Sequence, residues 1–214
     1  TYLKALEKGK GSNDIPTKAR TYSAQIQPYE QLMAFDKAIE AGEKALICNR
    51  QAGRIESYAL NLNHLVSTYT FKNDKANTWK YLNECRKLWP HISEKRKQDF
   101  YNNYLIAATS FCGKDSIQAA IQEYESHVPQ SKWDFLTLAD AYTAIKDFDR
   151  AEYFASQHKL HSSSIYSDKR YYAILYFLYR AQGKYKEAGE AYTQFNNIND
   201  SLNISALQEN VRLT

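Results

Sequence analysis

Glycine and proline are scarce in this chain, 7 and 4 among 214 residues. So few breakers argue against a turn-rich β fold and favour long helices. Charge of one sign is missing too. The 28 basic side chains face 24 acidic ones, and the net charge of +4 falls far short of the concentrated patch that nucleic-acid binders carry. Cysteine occurs three times, at Cys48, Cys85 and Cys112, spaced 37 and 27 residues apart. That leaves no CxxC or zinc spacing, and the odd count argues against a disulfide framework. The three read as small buried hydrophobes. A membrane-spanning run is also absent: "YYAILYFLY", Tyr171 to Tyr179, is nine residues long, against the ~20 that a bilayer requires.

Catalytic motifs are lacking as well. There is no GxSxG and no HExxH. "GKGSND", Gly9 to Asp14, has neither the leading glycine nor the strand of a phosphate loop. His158 and His161 share a helix face, but "HKLHSSS" supplies no convergent carboxylate. His64, His91 and His127 have no sequence partner, and "NIS" at Asn203 is a glycosylation sequon by pattern only. The expectation is a non-catalytic protein with no cofactor and no metal. The densest basic stretch, "RKLWPHISEKRKQ" from Arg86 to Gln98, has Trp89 and Tyr101 close enough to suggest base stacking. It reads instead as a solvated connector between helices, so nucleic acid is not expected as a partner.

What is present is a chain 43% hydrophobic and 24% charged, enough to build a sizeable or extended core, and a repeat. Tyr179 is followed nine residues later by Ala188, then by Tyr192 four on and Phe195 three on. The spacing recurs as Tyr142, Ala151, Ala155 and His158, as Tyr69, Thr78, Leu82 and Cys85, as Phe111, Ala120, Tyr124 and His127, and as Tyr29, Ala38, Gly42 and Ala45. Each copy reads as two antiparallel helices: an aromatic ends the first, a turn follows, and a small residue in the second permits close approach. Gly183 suits the left-handed residue of such a turn, and Asn73 is the next best choice. Lys146 and Met33 occupy the same place in their copies, where a less sharp turn is expected. Pro90 marks a stop for the second helix of its copy.

These residues resemble the tetratricopeptide repeat, over about Ala19 to Leu202. The resemblance implies an all-α, right-handed superhelical solenoid of about ten repeat helices, in five copies at 19–52, 59–92, 101–131, 132–165 and 169–202. Residues 1–18 are expected to form a short helix near Tyr2 to Lys8 and a loop, and residues 203–214 a C-terminal helix. The aromatic anchors are separated by 40, 42, 31 and 37 residues, an irregular period. In a solenoid the first helix of each pair is packed nearly all round, so "YYAILYFLY" is expected to be core.

First helices of such a fold line a concave groove that receives a protein or peptide. The groove-facing residues expected here are Asn63, Ser67, Asn102, Thr109, Trp133, Asp140, Arg170 and Phe177, with Ser23, Gln27, Leu105, Leu136 and Ala173 beside them. Some resembling proteins clamp a C-terminal carboxylate with cationic groups at these places. The places here are mostly polar or apolar, so that mode is not expected.

After the last copy, "NINDSLNISALQENVRL" offers Asp200 or Ser201 as the cap of a new helix, with Leu202, Ala206, Leu207 and Val211 on its apolar face. Such an ending resembles the extracytoplasmic regions of bacterial membrane-anchored histidine kinases and repeat-containing transcriptional regulators. That resemblance implies a signalling sensor in a two-component or transcription-regulating protein. Location in the periplasmic part of a membrane-anchored protein is expected, with the cytoplasm as the alternative and any membrane contact made through a segment outside this sequence. A freestanding cytosolic scaffold, or an accessory domain of an enzyme, is the other reading. The sequence opens at Thr1 and closes at Thr214 within a helical pattern, so it is expected to be part of a longer protein. The terminal apolar stripe is expected either to fold back on Tyr172 and Tyr176 as a cap or to continue and pair with a second copy as a homodimer.

Overall fold

The computed structural model describes residue 11, residues 13–161 and residues 164–211, with side chains left out for 159–161 and 203–211. The expected helix at Tyr2 to Lys8 lies outside these residues. Among the described residues all regular structure is helical: ten α-helices, two short 3-10 turns and no strand. The chain divides into two compact units. One holds the residues up to Gly113 with Ser126–Val128, and the other holds Lys114–Glu125 and the residues from Pro129 onward.

The first unit contains α1 (Ile15–Gln31), α2 (Phe35–Gln51), α3 (Ile55–Phe71), α4 (Lys75–Lys87), a 3-10 turn at Trp89–His91 and α5 (Glu94–Phe111). α1 pairs with α2 and α3 with α4, while α3 also packs on α1, α2 and α5. α3 is accordingly the most enclosed helix of this unit, with Ala59, Leu62, Leu65 and Val66 fully buried. α4 ends at Lys87, and Pro90 sits in the 3-10 turn that follows, as its missing N–H requires. Around that turn the Trp89 ring meets Phe100 edge-on at 4.7 Å and Tyr101 at 5.6 Å, and the Arg86 guanidinium lies 5.3 Å from the Phe100 ring centre. Lys87 pairs with Glu84, Lys97 with Glu94, and Arg96 with Asp99 and Glu56. Lys87, Arg96 and Lys97 of the basic stretch are thus matched with acids, and Trp89 and Tyr101 pack against neighbouring rings.

The second unit contains α6 (Lys114–His127, all but its last two residues), a 3-10 turn at Gln130–Lys132, α7 (Phe135–Ala144), α8 (Phe148–His161), α9 (Ile165–Ala181) and α10 (Tyr185–Val211). α7 pairs with α8 and α9 with α10, and α9 also packs on α7 and α8. Tyr142 stacks on Phe154 at 5.5 Å, and its hydroxyl donates to Glu125 Oε1 at 2.9 Å while accepting from Arg150 at 3.0 Å.

One turn geometry closes four of the pairs. In each, the αL residue donates to the carbonyl three back, and the next residue donates to the carbonyl of the anchor tyrosine five back: Ala34 to Tyr29 at 2.8 Å, Asp74 to Tyr69 at 2.9 Å, Asp147 to Tyr142 at 3.0 Å and Lys184 to Tyr179 at 2.9 Å. This is the bond pattern that ends a helix on a left-handed residue. The φ angles are 55° at Met33, 60° at Asn73, 63° at Lys146 and 76° at Gly183. The expectation that Met33 and Lys146 turn less sharply is therefore overturned. Both side chains are exposed, and the helix-ending hydrogen bonds and the packing of the pair outweigh an intrinsic cost of ~1–2 kcal/mol. Phe111 ends α5 differently, with Cys112 extended at φ −116°.

The small residues nine positions after each aromatic are all enclosed. Ala38, Thr78, Ala120 and Ala151 are fully buried and Ala188 nearly so. α9 departs from the expectation of a helix buried nearly all round. Ile174 and Leu178 are enclosed, but Tyr166 and Phe177 are each more than half exposed, because the helices that pack on α9 leave that face uncovered. α10 also departs from expectation: it runs unbroken through Asp200 and Ser201, and the Ser201 hydroxyl donates to its own helix at Asn197 O, 2.9 Å away. No new helix is capped there.

Candidate functional site

The N-terminus of α7 starts at Asp134, whose carboxylate accepts from the backbone N–H groups of Leu136 at 3.0 Å and Thr137 at 3.1 Å. A short acidic side chain at this position satisfies donors that the first helical turn leaves open. The Asp134 N–H donates to the Tyr124 hydroxyl at 2.8 Å. Burial pushes the Tyr124 hydroxyl up to about 12, so it stays a neutral partner.

From α9, Arg170 reaches across to this helix start. Its guanidinium donates to Asp134 Oδ2 at 2.6 Å and to Thr137 Oγ1 at 2.6 Å. Burial alone would raise the Asp134 carboxyl. The Arg170 charge, its hydrogen bond and those from Thr137 outweigh burial and hold the group below the usual carboxylate range. Asp140, one and a half turns further along α7, feels the same guanidinium without bonding to it. There burial prevails and pushes the carboxyl up.

Asp134 and Arg170 line a cleft of about 770 Å³, a size typical of ligand-binding clefts. Trp133, Phe135 and Tyr166 supply aromatic walls, and Gln130, Ser131, Ser167 and His158 supply polar atoms. Trp133 and Phe135 are steadied by Phe154, at 6.0 and 6.3 Å between ring centres. His158 Nε2 lies 2.9 Å from Ser167 Oγ, and its ring stacks on Tyr171. Burial lowers the His158 pKa more than Asp134 and Asp168 raise it, so the ring is neutral at pH 7. Among the described residues no carboxylate is hydrogen-bonded to His158. Nor do any three His, Cys, Asp or Glu side chains cluster as metal ligands there; the His161 side chain lies outside the described residues.

Of the residues expected to face a partner, Trp133 and Arg170 line this cleft, with Leu136 buried beside them. Asp140 is half-buried near Arg170, and Phe177 is exposed further along α9. Ala173 is half-buried on α9, and the others lie in the first unit. Asn63 is only 3% exposed, accepting from Asn103 Nδ2 at 3.3 Å and from the Cys85 thiol at 3.9 Å. It is a packing residue with little surface to offer. Cys85 beside it is pushed up to about 12, chiefly by burial, which leaves the thiol unreactive. Ser67, Asn102 and Thr109 are half-buried, and Thr109 bonds its own helix at Leu105 O. Leu105 is fully buried, Ser23 donates to Ala19 O, and Gln27 is exposed.

Sequence reasoning missed Asp134, Tyr166, Ser167, Gln130 and Ser131. Asp134 carried a readable signal, an acidic residue just before the apolar run "FLTLA". Its bond to Arg170 spans 36 positions and carried none. Among the described residues no helix is long and apolar enough to cross a membrane. In comparisons with known proteins, no family model matches this chain and no curated protein matches it.

Proposed function

We propose that the chain is a non-catalytic peptide-binding module built as a right-handed tetratricopeptide-like solenoid, and that it serves as the sensor or interaction region of a larger signalling or transcription-regulating protein. The solenoid reading is supported by helix pairs whose first members lie side by side: α1 with α3 and α3 with α5 in one unit, α7 with α9 in the other. The single observation that carries the binding role is the cleft at α7 and α9, where aromatic walls meet an arginine fixed in place by two partners. The sensor role draws on α10. It is 27 residues long against 17 for its partner α9, and a helix continuing past its pair can transmit a change in curvature along its axis.

Panning a phage-displayed random peptide library on the whole chain tests the binding role, with a folded Trp133→Ala/Arg170→Ala variant as the counter-target. Peptides that bind the unaltered protein and lose about tenfold or more on the variant are expected, the loss typical of removing an interface anchor. No enrichment, or enriched peptides indifferent to the variant, overturns the reading.

A further inference from the structure

Arg170 carries five N–H donors, and its hydrogen bonds within the protein, among the described residues, are those to Asp134 and Thr137. Asp134 is in the opposite state: Oδ1 accepts two helix N–H groups and Oδ2 accepts the arginine. The cleft therefore has donors to spare, while its one lining carboxylate is fully engaged. Its formal charges cancel, Arg170 against Asp134, with His158 neutral. Asp140, which feels the Arg170 charge, is not among the residues that line the cleft. A neutral lining does not concentrate a polyanion or a cation from solution. Surplus donors suit uncharged acceptors, of which the main-chain carbonyl is the commonest.

The length of the surface fits the same occupant. Tyr166, Arg170, Ala173 and Phe177 follow one another on α9 at intervals of four, three and four, which places them on one helix face. Tyr166 and Phe177 are both more than half exposed. Eleven helical residues rise about 16 Å, the reach of roughly five residues of extended chain.

Resting on the peptide-binding reading, we propose that this cleft and the adjoining face of α9 take an uncharged, extended peptide segment with two aromatic side chains about four residues apart. One aromatic ring lies against Trp133 and Tyr166, the other against Phe177, and carbonyl oxygens between them accept from Arg170.

The probe is the blocked peptide acetyl-Tyr-Ser-Asn-Ser-Phe-amide, titrated into the whole chain and followed by NMR at the Trp133 indole N–H and the Arg170 Nε–H. Three twins accompany it: both serines changed to aspartate, both changed to lysine, and both aromatics changed to alanine. The neutral aromatic peptide is expected to shift both signals, with an affinity that changes less than about twofold between roughly 50 and 500 mM salt, because no net charge is screened. Tyr166→Ala, at an exposed side chain outside the core, is expected to weaken it about tenfold. Tighter, salt-sensitive binding of the aspartate or lysine twin at the same signals overturns the neutral class while leaving a peptide-binding cleft in place. Equal binding of the alanine twin overturns the aromatic requirement. If none of the four peptides moves either signal, the inference fails, and the phage selection decides the broader reading independently.

Discussion

Gly42 of α2 passes so close to Leu65 of α3 that a Cβ added to it would stand 2.7 Å from Leu65 Cδ2 and 3.0 Å from Cγ. Leu65 is fully buried, so it can give way only by displacing its neighbours in the core. Gly42→Ala should therefore lower stability: the gain of up to ~1 kcal/mol from better helix propensity is outweighed by overpacking worth ~1–3 kcal/mol. Gly189 on α10 is the matching control, since nothing lies within 4 Å of its added Cβ. Gly189→Ala should raise stability by a few tenths to ~1 kcal/mol. Urea denaturation of both variants checks the pair, and a stabilised Gly42→Ala would show that Leu65 has room to move.

Met33 and Lys146 hold left-handed conformations that cost a side-chain-bearing residue ~1–2 kcal/mol. Both side chains are exposed, so little packing is lost on removing them. Met33→Gly and Lys146→Gly should each stabilise by about 0.5–1 kcal/mol, less than the full strain because glycine also loosens the unfolded chain. Gly183→Ala, at φ 76°, should destabilise by a comparable amount. Thermal unfolding of the three variants reads the difference directly.

These two sites show what local pattern can and cannot convey. The aromatic-to-small spacing was visible because helix-pair packing repeats it: Ala38, Thr78, Ala120, Ala151 and Ala188 all proved enclosed. The turn conformation at Lys146 was not visible, because the hydrogen bonds that impose it are backbone bonds and lysine carries no preference for them. The end of the last pair was misread for a related reason. Asp200 and Ser201 are good caps in isolation, yet continued i to i−4 bonding carries α10 straight through them. Arg170 was legible as a member of a first helix, whereas Trp133, expected on one as well, lies just ahead of α7 at the end of the 3-10 turn. That they meet in one cleft depends on α7 lying beside α9, a contact across more than thirty residues that a single sequence does not encode in any local spacing. Asn63 illustrates the converse: its register is that of a surface residue, and a neighbouring helix covers it.

Asp140 should make the protein more stable as pH falls from neutral. Its folded carboxyl is raised by burial above the unfolded value of ~3.9, so the folded state takes up the proton first. Stability then rises as pH drops through the folded pKa and stops rising near the unfolded one. At pH 7 the charge is a liability, so Asp140→Asn should be more stable than the parent there, with the gap closing toward about pH 4. Glu30 is shifted in the same direction by burial and remains in both proteins, so it cancels in the comparison. A gap that stays constant with pH would show that Asp140 does not titrate differently on folding.

Asp134 acts with the opposite sign, and its two jobs can be separated. As the cap of α7 it is worth ~0.5–2 kcal/mol against alanine. Its ion pair with Arg170 is partly open to solvent, with side-chain exposures of 31% and 41%, so screening limits that contribution to ~1 kcal/mol or less. Asp134→Ala removes both and should cost ~1–3 kcal/mol, whereas Arg170→Ala leaves the cap in place and should cost ~1 kcal/mol or less. Asp134→Asn keeps an oxygen for the Leu136 and Thr137 N–H groups but gives up the charge, so it should resemble Arg170→Ala. Because the folded carboxyl is held below its unfolded value, its contribution is complete above the unfolded pKa and disappears as pH falls through the folded one. The gap between the parent and Asp134→Asn should therefore be widest at neutral pH and vanish in strong acid. A double-mutant cycle at pH 7 completes the measurement: a coupling near zero between Arg170→Ala and Asp134→Asn would mean that the arginine is held by Thr137 and packing alone, and that the charge of Asp134 does not fix it at the cleft.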